Sequence, residues 1–135
     1  MKKQIFLIDD DIDDMKIFVD ALKVVSDTFS CTHASNGVNA LKMLHYLRPE
    51  TIFVDYNMPL MNGLEFVEEL HKIKELMHIP VFLFSTHISN IMIQKAKEFG
   101  VAGCIQKPNN ISDLILTLKN VLCESKKAQP FYIGK

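Results

Sequence analysis

Residues 51–66 read TIFVDYNMPLMNGLEF. Thr51–Val54 is almost continuously apolar, without the alternation of a strand that has one wet face. It predicts a strand covered on both sides, as in a parallel sheet. Asp55 ends the run. Pro59 restricts Met58 to extended backbone, and Asn62-Gly63 supplies turn chemistry. Asn62 and Glu65 have the spacing of a capping box. A helix therefore begins here, with Leu64, Phe66, Val67, Leu70 and Ile73 as its apolar stripe.

The same strand-then-helix pattern recurs on both sides. Apolar runs occupy Gln4–Ile8, Phe29–Ala34, Val81–Phe84 and Val101–Ile105. The second run, with Cys31, Thr32 and His33, is weaker and is expected near a sheet edge. Helical stripes follow: Met15, Phe18, Val19, Leu22 and Val25; Val38, Leu41, Leu44 and Leu47; Ile91, Met92, Ala96 and Phe99; Ile111, Leu114, Ile115, Leu118 and Leu122. Gly100 is a natural stop for the fourth helix. Five strands alternating with five helices over short connections predict a doubly wound parallel sheet, (βα)5, in one domain. Residues 124–135 (ESKKAQPFYIGK) lack periodicity. They form a C-terminal tail, either loose or docked by Phe131, Tyr132 and Ile133.

With 135 residues, 48% of them hydrophobic, the chain can bury a core without disulfide or metal staples. A net charge of −1 gives no electrostatic basis for binding nucleic acid or an acidic membrane. Cys31, Cys104 and Cys123 form no C-x-x-C pair and read as reduced, buried thiols. The apolar run after Lys2-Lys3 is cut off by Asp9-Asp10-Asp11, so no secretory signal is expected. No stretch approaches the ~20 apolar residues of a membrane span. The expected location is the cytoplasm.

Ligands of doubly wound sheets bind outside the carboxyl ends of the strands. There the sequence places Asp9-Asp10-Asp11, Asp55, Ser85-Thr86 and Lys107-Pro108. Clustered carboxylates repel one another and call for a cation, and hard oxygen ligands that retain waters suit Mg2+. An ionised Asp55 beside the metal can act as a nucleophile toward phosphorus. Mg2+ and the Lys107 ammonium would neutralise phosphoryl oxygens, with the Ser85 hydroxyl donating a hydrogen bond. Singly, each feature has an ordinary explanation: an N-cap acid, a turn aspartate, a helix-capping serine, a loop lysine. Their conjunction at four strand ends does not.

The segments IFLIDDD, TIFVDYNMPLMNGLEF, IPVFLFST and GVAGCIQKP resemble those of bacterial response-regulator receiver domains, over about residues 3–123. The run D-Y-N-M-P-L-M-N-G is the most specific part. The resemblance implies a flavodoxin-like three-layer sandwich, its five-stranded parallel sheet ordered 2-1-3-4-5. It implies that Asp55 accepts the phosphoryl group and ligates the metal. Asp10 would be a direct Mg2+ ligand, Asp9 a ligand through water, and Asn57 a ligand through its backbone carbonyl. Ser85 would be the switch hydroxyl, Lys107 the phosphoryl contact, and Lys107-Pro108 a cis bond. The function implied is that of a stand-alone receiver and not a metabolic enzyme. Its phosphoryl donor would be a sensor histidine kinase or a histidine phosphotransfer protein, and its output contact with a downstream protein target. The oligomeric state is left open.

One departure stands out. Family members commonly carry Tyr or Phe three residues before the lysine, where this chain has Cys104. A phosphate-independent, receiver-like interaction module is therefore the second reading. An aspartate-nucleophile phosphatase of the haloacid dehalogenase type needs D-x-D, whereas this chain has Asp55-Tyr56-Asn57. An FMN phosphate would be repelled by the acidic stretch Asp9–Asp14. Among the histidines His87 is the one expected near the site, and Met58 and Met61 are expected to pack the loop.

Overall fold

In the computed structural model, which describes residues 2–123 and 131–134, the strands are β1 (Lys3–Ile8), β2 (Phe29–Ala34), β3 (Thr51–Val54), β4 (Val81–Ser85), β5 (Gly103–Gln106) and β6 (Tyr132–Ile133). The helices are α1 (Ile12–Val25), α2 (Gly37–Met43), α3 (Gly63–Leu70), α4 (Asn90–Glu98) and α5 (Ile111–Cys123). All strand pairs are parallel, in the order β2-β1-β3-β4-β5-β6.

The continuously apolar strands are buried on both faces. Ile5, Leu7, Phe53, Phe82, Phe84 and Ile105 point to one side, toward Phe18, Ala21 and Leu22 of α1 and Leu114, Leu118 and Val121 of α5. Phe18 and Phe53 meet edge to face with centroids 5.2 Å apart, and Phe53 stacks on Phe82 at 5.5 Å. Phe6, Ile8, Ile52, Val54, Leu83 and Cys104 point the other way, toward α2, α3 and α4. The residue-by-residue alternation follows from the period of two along a strand.

The helix ends follow the sequence. Asn62 and Glu65 make the reciprocal capping box of α3, and Gly100 ends α4 at φ 79°. The half-buried β2 lies at the sheet edge.

Several expectations need correction. The sheet has six strands: Tyr132 and Ile133 pair with Cys104 and Ile105 on the otherwise open edge of β5, so the tail is docked there. The rest of the tail lies outside the described residues. Among the described residues no peptide bond is cis, so Lys107-Pro108 is trans; trans is the lower-energy form of an X-Pro bond. Val38, Ile91 and Ile111, expected in apolar stripes, are exposed. Each is the first or second residue of its helix. Of the three thiols expected to be buried, Cys104 is; Cys31 is partly exposed and Cys123 exposed, and all three are free. No helix among the described residues is long and apolar enough to cross a membrane.

Candidate functional site

The parallel ladder continues past the strand ends and fixes the polar residues in a row. Asp9 N–H donates to Ala34 O at 3.0 Å, Asp55 N–H to Ile8 O at 2.9 Å, and Lys107 N–H to Ser85 O at 2.9 Å. Asp9, Asp55, Ser85 and Lys107 thus sit side by side at the carboxyl edge, as the sequence indicated. Asp9, Asp55 and Ser85 are all buried.

Lys107 ties the row together. Its ammonium lies 2.7 Å from Asp9 Oδ2, 2.8 Å from Asp14 Oδ2 and 3.3 Å from Asp55 Oδ2. It also sits 5.6 Å from the centroid of the Phe84 ring. Burial works against the charged ammonium. The bonds to Asp14 and Asp9, with the charges of Asp9 and Asp55, outweigh that and hold its pKa above the ordinary lysine value. Burial raises the pKa of Asp9, against the opposing pull of Lys107 and of the Asp11 N–H, which donates to Asp9 Oδ1 at 2.9 Å.

Carboxylate oxygens of Asp9, Asp10 and Asp55 lie within 4.8 Å of one another. Asp9, Asp14 and Asp55 contact the Lys107 ammonium, and Asp10 lies beside Asp9 and Asp55. The negative excess and the all-oxygen donor set fit a hard divalent cation such as Mg2+, and the exposed Asp10 leaves room for retained waters. The backbone N–H of Asn57 approaches Asp55 Oδ1 at 3.4 Å, so the main chain of the loop faces the carboxylate.

The loop after Asp55 is held by close backbone approach. Gly63 N–H donates to Tyr56 O at 2.9 Å. A Cβ on Gly63 would lie 2.6 Å from Asp55 O, so only glycine admits this contact. Met58 and Met61 pack against the core, as expected. Beside the carboxylates a groove of about 160 Å³ is lined by Asp14, Ile17, Phe84, Lys107, Pro108 and Ile111.

Two residues were missed or misplaced. His33 is a histidine at the site that the sequence reading did not place there. Its Nε2 donates to Asp9 O at 2.7 Å, because the β1–β2 register sets His33 opposite Leu7 and its ring beside the strand end; His87 is exposed after β4. Asp14 escaped notice as one acid in an acidic run. The available signal was its place three residues after Asp11, the N-cap of α1, whose carboxylate accepts from Asp13 N–H and Asp14 N–H at 2.9 and 3.1 Å.

The sequence profile of the response regulator receiver domain matches residues 5–119. A polar-differentiation response regulator, DivK of Brucella anthropi, is 28% identical over 90% of this chain and 98% of its own length. A CpxR homolog of Haemophilus influenzae, a transcriptional regulatory protein, is 29% identical over 90% of this chain, which spans only 51% of that protein. The crystal structure of the phosphorylated cyanobacterial phytochrome response regulator RcpA superposes with a TM-score of 0.82 at 27% identity, covering 90% of this chain and 91% of that one.

Proposed function

The chain belongs to the response regulator receiver domain family, and on that premise we propose that Asp55 is a Mg2+-dependent phosphoryl acceptor charged by a phosphohistidine donor. Receiver domains are switches in two-component signalling. The observation that carries the reading is the Lys107 ammonium within 3.3 Å of the buried Asp55 carboxylate, beside a three-carboxylate cluster fit for a metal.

In this reading a carboxylate oxygen of Asp55 bonds to phosphorus as the donor's P–N bond breaks and the imidazole leaves. Lys107 and the Ser85 hydroxyl take the phosphoryl oxygens, and the ordered loop at Asn57 fixes the attacking carboxylate. Asp9, Asp10, Asp55 and the Asn57 carbonyl would hold Mg2+, which when bound supplies charge neutralisation at the acceptor and the phosphoryl oxygens. The family's fold contributes positioning and electrostatics more than covalent chemistry.

The donor is a sensor histidine kinase or a histidine phosphotransfer protein. Exposed Ile17 and Ile111 line the groove beside Lys107 and offer an apolar seat for such a partner. Residues 1–123 act as the receiver and 124–135 as its tail, in the cytoplasm. The output is a switched protein-interaction surface rather than contact with nucleic acid or membrane. DivK and RcpA, by their names response regulators, support this class of role. The rival reading, a phosphate-independent interaction module, draws on Cys104 alone.

Intact-mass spectrometry after incubation with acetyl phosphate, with and without Mg2+, tests the proposal. The expected result is a Mg2+-dependent gain of one phosphoryl group that Asp55→Asn abolishes. A folded wild type that gains none leaves the phosphate-independent module as the better account.

A further inference from the structure

Asp14 has no part in the reaction as written, yet its carboxylate lies 2.8 Å from the Lys107 ammonium. An ammonium has three protons. In this structure Asp9, Asp14 and Asp55 take all three contacts, at 2.7, 2.8 and 3.3 Å, and Asp55 has the longest. To bind an oxygen of a phosphoryl group on Asp55, Lys107 must give up a present partner. The Asp9 side chain is 0% exposed and that of Asp14 is 35% exposed. Release of Asp9 would strand a buried carboxylate, while release of Asp14 returns a half-exposed one to water.

We propose that Asp14 is a positioning residue, a latch that draws Lys107 toward α1 in the unphosphorylated chain and so opposes phosphorylation of Asp55. The inference rests on the reading of Asp55 as acceptor. Because the Asp14–Lys107 pair is made before phosphoryl transfer and lost after it, its full strength counts against the product. Asp14 also belongs to the first turn of a helix, where an acid is favourable whatever it touches. Asp13 shares that turn and is exposed, which makes it the charge control.

The experiment titrates acetyl phosphate at saturating Mg2+ and reads the phosphorylated fraction by intact mass. Asp55 forms an O–P bond while the P–O bond to the acetyl group breaks and acetate leaves. Asp14→Asn is expected to lower the acetyl phosphate concentration for half-phosphorylation about three-fold, the scale of a partly exposed ion pair. Asp13→Asn leaves the midpoint near that of the wild type. Asp14→Glu, which keeps the carboxylate within reach of Lys107, restores it. A midpoint in Asp14→Asn equal to or above wild type overturns the latch while the acceptor reading stands. So does an equal shift in Asp13→Asn, or a failure of Asp14→Glu to restore the wild-type value. A wild type that takes up no phosphoryl group overturns both. Thermal unfolding of each variant confirms that folded proteins are being compared.

Discussion

Gly37 and Gly63 begin α2 and α3, each directly after a capping asparagine, Asn36 and Asn62. Alanine at either gains at most ~1 kcal/mol of helix propensity, most of it the smaller conformational entropy of the unfolded chain. What the new methyl meets decides the outcome. At Gly63 a Cβ would lie 2.6 Å from Asp55 O and 3.1 Å from Tyr56 Cα, both main-chain atoms, and 2.9 Å from Leu83 Cδ1. Relief requires the exit of β3 to move. Overpacking of this kind costs about 1–3 kcal/mol, and after the propensity gain roughly 1–2 kcal/mol of destabilisation is left. At Gly37 the nearest atoms are Met61 Sδ at 2.8 Å and Cγ at 3.3 Å, on a flexible side chain that can swing away. Gly63→Ala is therefore expected to lower Tm by roughly 3–8 °C, and Gly37→Ala to leave it unchanged or slightly higher. Thermal unfolding followed by circular dichroism measures both. Since the displaced strand end carries Asp55, the proposed acceptor, Gly63→Ala should also take up phosphoryl group more slowly while still folded. Equal losses at the two glycines, or a Gly63→Ala as stable as the wild type, would refute the reasoning from close backbone approach.

Burial raises the thiol pKa of Cys104 from 9.0 to about 11. A raised pKa contributes stability that is intact below 9.0 and lost as pH climbs toward about 11. Across that window, urea unfolding of the wild type should lose on the order of 2 kcal/mol more than that of Cys104→Ala; parallel pH profiles would show that the thiol does not ionise differently in the unfolded chain. Phe131 O accepts from Cys104 N–H at 2.5 Å, so a chain ending before Phe131 should exchange the Cys104 amide hydrogen much faster, and unchanged protection would mean that β6 does not pair in solution.

The fold was legible because strand burial and helical periodicity are local signals. Ile52-Phe53-Val54 announces a two-sided strand, and Asn62 with Glu65 announces the start of a helix. The site was legible because four strand ends each deliver their polar residue at the same edge. Other features depend on distance in three dimensions. The place of His33 beside Asp9 follows from the β1–β2 register, which no local pattern specifies. The two-residue β6 is too short for any periodicity, and only the open edge of β5 gives it a place. Val38, Ile91 and Ile111 keep the helical period yet stay exposed, because a stripe tells which face a residue occupies and not whether the sheet extends beneath it.

The absence of an aromatic ring at Cys104 takes on a different meaning once β6 is in view. Cys104 is 0% exposed and packs in the same cluster as Leu83, Ala96 and Val101, with Phe131 against it. Beside it, β6 pairs along the β5 edge. Its Tyr132 hydroxyl donates to Gln106 Oε1 at 2.8 Å, and Gln106 Nε2 donates to Thr86 O at 3.2 Å. Thr86 directly follows Ser85, the buried residue that ends β4. The backbone after β4 is thus tied to β6 through one side chain. Where the family resemblance led one to expect a ring on β5, this chain has the small Cys104, and the described contacts join the end of β4 to β6 through Gln106.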